Sequence, residues 1–170
     1  MKAVSIISIV YGVLGLIWAT VITVVIKVQE AFLQHFPWPP EVYEVVDLSS
    51  LLDTVFGMIA NIYPYVFLIA ALYILSGILY LAGKPSFKTI AYAAAILNIV
   101  WYVVYMVLVQ VEIVPVLNTM EIFPEKLLGT LVFLGMVINA VFYCGYPTFL
   151  IIFIHRGGRE WDTLDTGYKS

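Results

Sequence analysis

The chain has 170 residues, 63% of them hydrophobic and only 11% charged, with a formal net charge of -3. Soluble domains carry about 25% charged residues, so the chain reads as an all-α integral membrane protein. Cys144 is the one cysteine, which excludes an internal disulfide and paired-cysteine metal or redox motifs; the acidic balance excludes a nucleic-acid partner, which would need a basic patch.

Stretches 3–26, 54–83, 89–111 and 127–155 contain no Asp, Glu, Lys or Arg. Each exceeds the ~20 apolar residues that cross a hydrocarbon core as a helix, and hydrocarbon leaves no other partner for backbone N–H and C=O groups. The predicted architecture is a single membrane domain, 1–170, with four transmembrane helices at about 3–27, 53–82, 87–112 and 125–155 in an antiparallel bundle. With both termini on one side, that side holds Lys2, Lys84, Lys88, Arg156, Arg159 and Lys169, against Lys27 and Lys126 opposite. Lys and Arg gather on the cytoplasmic side, so both termini are expected inside, in the cytoplasmic membrane. The first apolar run is longer than a signal-peptide core and lacks an A-x-A-like site, so it is read as a retained helix.

The first helix spaces Ser5, Ser8, Gly12, Gly15 and Ala19 three and four residues apart. Such a seam lets two helix backbones approach closely. It serves either a neighbouring helix of the same chain or another subunit. The outer loop, 28–52, carries "HFPWPP" at 35–40, which proline stiffens. From 41 to 52 acids interleave with Val and Leu, the pattern of an amphipathic helix on the bilayer surface, anchored by Phe36 and Trp38. The alternative for this loop is a docking surface.

The second helix carries "GMIAN" at 57–61 and then Pro64; the fourth carries "GMVIN" at 135–139 and then Pro147. Both helices also share L-L-x-T before the motif and F-L-I after a Tyr-Pro pair, so the chain is a candidate duplication of one hairpin. Counted from the charged ends, Asn61 lies toward the outer side and Asn139 near mid-span. Each proline removes the N–H that would close a helical turn, freeing the carbonyls of Ala60 and Tyr143 and marking both sites as kinks. Between these helices, "GKPSFK" is a tight inner link: Gly83 should end the second helix and Ser86 should cap the third. The tail, 156–170, is polar and too short to fold alone.

No Asp, Glu, Lys or Arg lies in the four charge-free stretches that form the membrane core, and the usual marks of proton relays and catalytic sites are ionisable groups at that depth. No catalytic constellation, cofactor site or metal site is therefore expected, and Cys144 reads as a core residue. Asn98, Tyr102 and Tyr105 share a face of the third helix with Ala91 and Ala95. Asn139, Tyr143 and Tyr146 share a face of the fourth. An amide facing lipid lacks partners, so Asn98 and Asn139 should point inward. These residues, with Asn61, either pin helix packing or line a polar-aromatic cavity. The expected function is non-catalytic: helix association, as a homo-oligomer or accessory subunit in the bilayer. The alternative is binding of a small apolar or amphipathic molecule, such as a lipid or quinone-like compound.

Overall fold

The computed structural model describes residues 2–36, 48–118 and 125–166, which are helical almost throughout and contain no strand among them. Four helices dominate: α1 (Lys2–His35), α2 (Leu48–Leu81), α3 (Phe87–Leu108) and α4 (Glu125–Thr166). The last turns of the third span change character. A π-helical turn, Val109–Ile113, follows α3, and a short α-helical piece, Val114–Asn118, completes it. The four segments Ala3–Leu33, Asp53–Leu81, Phe87–Asn118 and Leu127–Arg156 are each long and apolar enough to cross a membrane.

These helices run past the boundaries expected from charge. α1 continues through Lys27 and Glu30 to His35, α2 starts five residues early, and α4 continues eleven residues past 155. Charged side chains do not terminate a helix; proline, glycine in a left-handed turn or a missing cap does. The amphipathic stretch 41–52 lies outside the described residues up to 47, and its remainder is the first turn of α2 rather than a separate surface helix. Trp38 also lies outside them.

The link between α2 and α3 has a clear stop. Gly83 sits at φ +67°, its N–H bonds the Tyr80 carbonyl, and the Lys84 N–H bonds the Leu79 carbonyl at 2.9 Å. This is the paired-bond C-terminal motif that needs a left-handed residue, which glycine adopts without strain. Ser86 stands at the N-cap of α3 but makes no side-chain cap bond, contrary to its expected role. Tyr80 and Phe87 meet edge to face at 4.7 Å and close the hairpin.

Neighbours in sequence are neighbours in space: α1 packs on α2, α2 on α3 and α3 on α4, whereas α1 and α4 barely touch. The small-residue seam of α1 is used inside the chain. A Cβ on Gly12 would stand 2.6 Å from the Ala70 carbonyl oxygen, and one on Gly15 would stand 3.3 Å from the Ala70 Cβ. From the facing side, a Cβ on Gly77 would meet the Ser5 carbonyl oxygen at 2.7 Å. Ser5, Ser8 and Ala19 are buried as well. The seam is therefore occupied by α2, which takes from it the intersubunit role it could have had.

Two apolar clusters hold the bundle. Toward the end expected inside, Ile69 and Tyr73 of α2 meet Ala91 and Ala94 of α3 and Leu150 and Ile154 of α4. Alanines on α3 keep the backbones close. Toward the end expected outside, Met58, Ile62, Val109 and Met136 form the second, outer cluster. The two methionines belong to the repeated Gly-Met motifs and reach one cluster.

Candidate functional site

Asn98 lies at the centre of the bundle, 6% exposed. Its Nδ2 donates to the hydroxyl oxygens of Tyr11 and Tyr73, both at 3.3 Å, and lies 3.5 Å from the Tyr143 carbonyl. The Tyr11 hydroxyl is also 3.5 Å from that carbonyl. Pro147, itself buried, explains the convergence. It cannot donate to the carbonyl four residues earlier, so the Tyr143 oxygen is left open inside the bundle. Side chains from α1 and α3 approach it there.

The rings assemble around this point. Tyr11 contacts Tyr73 edge to face at 5.0 Å and Tyr146 at 4.5 Å. Ser8 and Tyr146 share a hydrogen bond of 2.5 Å, which ties α1 to α4 where the two helices otherwise hardly meet. Tyr102 stacks on Tyr143 at 5.2 Å and donates its hydroxyl to the Met136 carbonyl. Trp101 stacks on Tyr105 and donates its indole N–H to the Ile62 carbonyl at 3.2 Å. The hydroxyls of Tyr11, Tyr73, Tyr102 and Tyr146 and the Trp101 indole N–H each have a partner, as buried Tyr and Trp usually do.

Beside the cluster a cleft of about 280 Å³ opens, lined from all four helices. Tyr11, Tyr73, Asn98 and Tyr143 contribute its polar-tipped side, while Val66, Ile69 and Trp101 are among its apolar walls. Leu14, Trp18 and Phe142 also line it and are exposed, so its mouth faces sideways between α1 and α4. Nδ2 is the only atom of the Asn98 side chain that bonds a described residue. Its Oδ1 accepts no bond there, so a nearly buried acceptor stands at the cleft.

The chain matches no protein family, no curated protein and no solved structure. The reading of the site therefore rests on its geometry.

The sequence-derived polar residues separate into two groups. Asn98, Tyr102, Tyr105, Tyr143 and Tyr146 lie in or against the aromatic cluster. Asn61 and Asn139 do not: both are on the outside of the bundle. Asn139 turns back along its own helix, its Nδ2 donating to the Gly135 carbonyl at 3.0 Å. Its expected inward orientation is wrong because Met136, one residue after the motif's glycine, occupies the core side of α4. The two prolines separate in the same way, with Pro147 buried and Pro64 exposed. Tyr11, Tyr73 and Trp101 were not singled out from sequence. The available signal was chemical: a phenol deep in a charge-free stretch needs a partner for its hydroxyl.

Proposed function

We propose that the chain is a non-catalytic four-span protein of the cytoplasmic membrane, both termini inside, that binds a small amphipathic molecule in the central cleft. The single observation carrying this reading is Asn98, buried among phenols with its Oδ1 unpartnered beside a lateral opening. An acceptor in that setting suits a ligand bearing a hydroxyl or N–H, with the apolar remainder against Val66, Ile69 and Trp101. The cleft is at the small end of the ~300–1,000 Å³ range of ligand pockets, which favours one ring or one chain end over a whole lipid. Entry from the side, between α1 and α4, lets such a molecule arrive from the bilayer without crossing water. Association through the α1 seam has less support, because α2 fills that seam.

The test is extraction of the native protein with its lipid annulus, followed by mass analysis of what remains bound. Wild-type protein should retain one hydroxyl- or N–H-bearing molecule at near-stoichiometric amount. Asn98→Leu, which removes the acceptor, and Val66→Phe, which fills the cleft, should each lower it at least tenfold. Bulk lipid alone on the wild type, or undiminished retention in both variants, would overturn the proposal.

Sidedness has its own check. With Cys144 replaced by serine, a cysteine introduced at Ser86 should react with an impermeant thiol reagent only after the membrane is opened. Labelling of intact cells at that position would reverse the orientation.

A further inference from the structure

The repeated motif has a purpose that the cleft does not use. In both copies methionine enters the outer cluster: Met58 is 5% and Met136 6% exposed. Gly and Asn, four residues apart, share a helix face, and in both copies that face is turned outward. A Cβ built on Gly57 or on Gly135 meets nothing within 4 Å. Asn61 and Asn139 are both exposed. Asn61 makes no side-chain hydrogen bond among the described residues, and Asn139 bonds only its own helix through Nδ2.

At 1.5 Å per residue, Asn61 lies about 12 Å along α2 from Asp53, and Asn139 about 20 Å along α4 from Lys126. In a bilayer both amides would face hydrocarbon, where an unpaired amide is costly. Something must cover them.

We infer that these two Gly-x-x-x-Asn faces are where a second copy of this chain docks. Three observations favour a copy over an unrelated partner. An amide is both donor and acceptor, so an Asn pairs best with another Asn. The motif is present on two helices that run in the same direction, so copies embedded with one orientation meet as parallel helices. Met58 and Met136 reach one cluster, so the two motifs stand at a common end of the bundle and α4 of one copy can meet α2 of the next. The glycine one turn before each Asn then allows the backbones to close in, as small residues do at membrane helix contacts. The inference rests on the membrane reading and is independent of the cleft.

The experiment uses the full chain. Resistance to alkaline carbonate extraction first checks that it is membrane-embedded; a soluble protein would sink the membrane reading itself. Subunits per particle are then counted by single-molecule photobleaching in phosphatidylcholine vesicles over a range of protein densities. Wild type should show particles of two or more copies. Asn61→Leu with Asn139→Leu, or Gly57→Leu with Gly135→Leu, should require at least tenfold higher density for the same association. Asn61→Gln with Asn139→Gln, which keeps the amides, should stay closer to wild type than the leucine pair does. An embedded wild type that is monomeric throughout, or leucine variants that associate like wild type, would overturn the inference.

Discussion

Gly12→Leu should loosen α1 from α2 and unfold the protein at markedly lower temperature or detergent stress. The reason is the identity of the atoms in the way. The new Cβ would stand 2.6 Å from the Ala70 carbonyl oxygen and 3.0 Å from the Ile74 amide nitrogen. Backbone cannot swing aside as a side-chain end can, so the helices must separate. Overpacking typically costs about 1–3 kcal/mol, and a backbone clash belongs at or above the upper end. Gly77→Leu should behave alike, because its Cβ meets the Ser5 carbonyl. Gly57→Leu and Gly135→Leu are the controls: with open space at both positions, the isolated subunit should keep its unfolding midpoint. Unfolding followed by circular dichroism in mild detergent separates the two classes. Equal losses in all four variants would show that helix propensity or general apolarity, rather than the seam, sets stability.

The second large effect concerns the coupling of Asn98 to Pro147. Asn98→Leu leaves the Tyr11 and Tyr73 hydroxyls and the open Tyr143 carbonyl without its amide. Stranded buried polar groups cost about 1–3 kcal/mol each in general, whereas interhelical bonds in membranes average only ~0.6 kcal/mol. A net loss of about 1–2 kcal/mol follows from those limits. Pro147→Ala supplies a backbone N–H four residues after Tyr143, so the helix itself then satisfies that carbonyl. In this background Asn98→Leu should be less damaging. A double-mutant cycle should therefore show coupling within the ~0.5–3 kcal/mol seen for residues in one network. Strict additivity would mean that the amide and the proline-freed carbonyl do not act together.

The contrast between Asn98 and Asn139 shows how far the sequence was legible. The four long helices followed from charge-free length, which is a strong signal because so little else tolerates hydrocarbon. The ends did not follow, since Lys27 and Glu30 lie within α1 and do not stop it. Facing was hardest. Helices apolar all round have no polar side to orient them, so an Asn in α3 and an Asn in α4 read alike. Their fates were decided by neighbours: Ala94 and Ala95 let the Asn98 face press inward, while Met136 took the core side of α4 and left Asn139 outside. The seam showed the same limit, because spacing revealed a close helix contact but not whose helix.

The π-helical turn at Val109–Ile113 carries one last implication, for counting. Pro115 has no N–H and crowds the carbonyl four residues back, and the wider turn falls just before it. The Val114 N–H bonds the Val109 carbonyl, five residues away. In an unbroken α-helix, residues five apart would point about 140° away from each other. Here Val109 and Val114 are both buried, the first among the methionines of the outer cluster and the second beside Gly129, whose added Cβ would lie 3.6 Å from the Val114 Cγ1. The turn thus absorbs one surplus residue and keeps the phase of the helix. α3 grips α2 and α4 in its middle and still presents an apolar side chain to α4 at its far end.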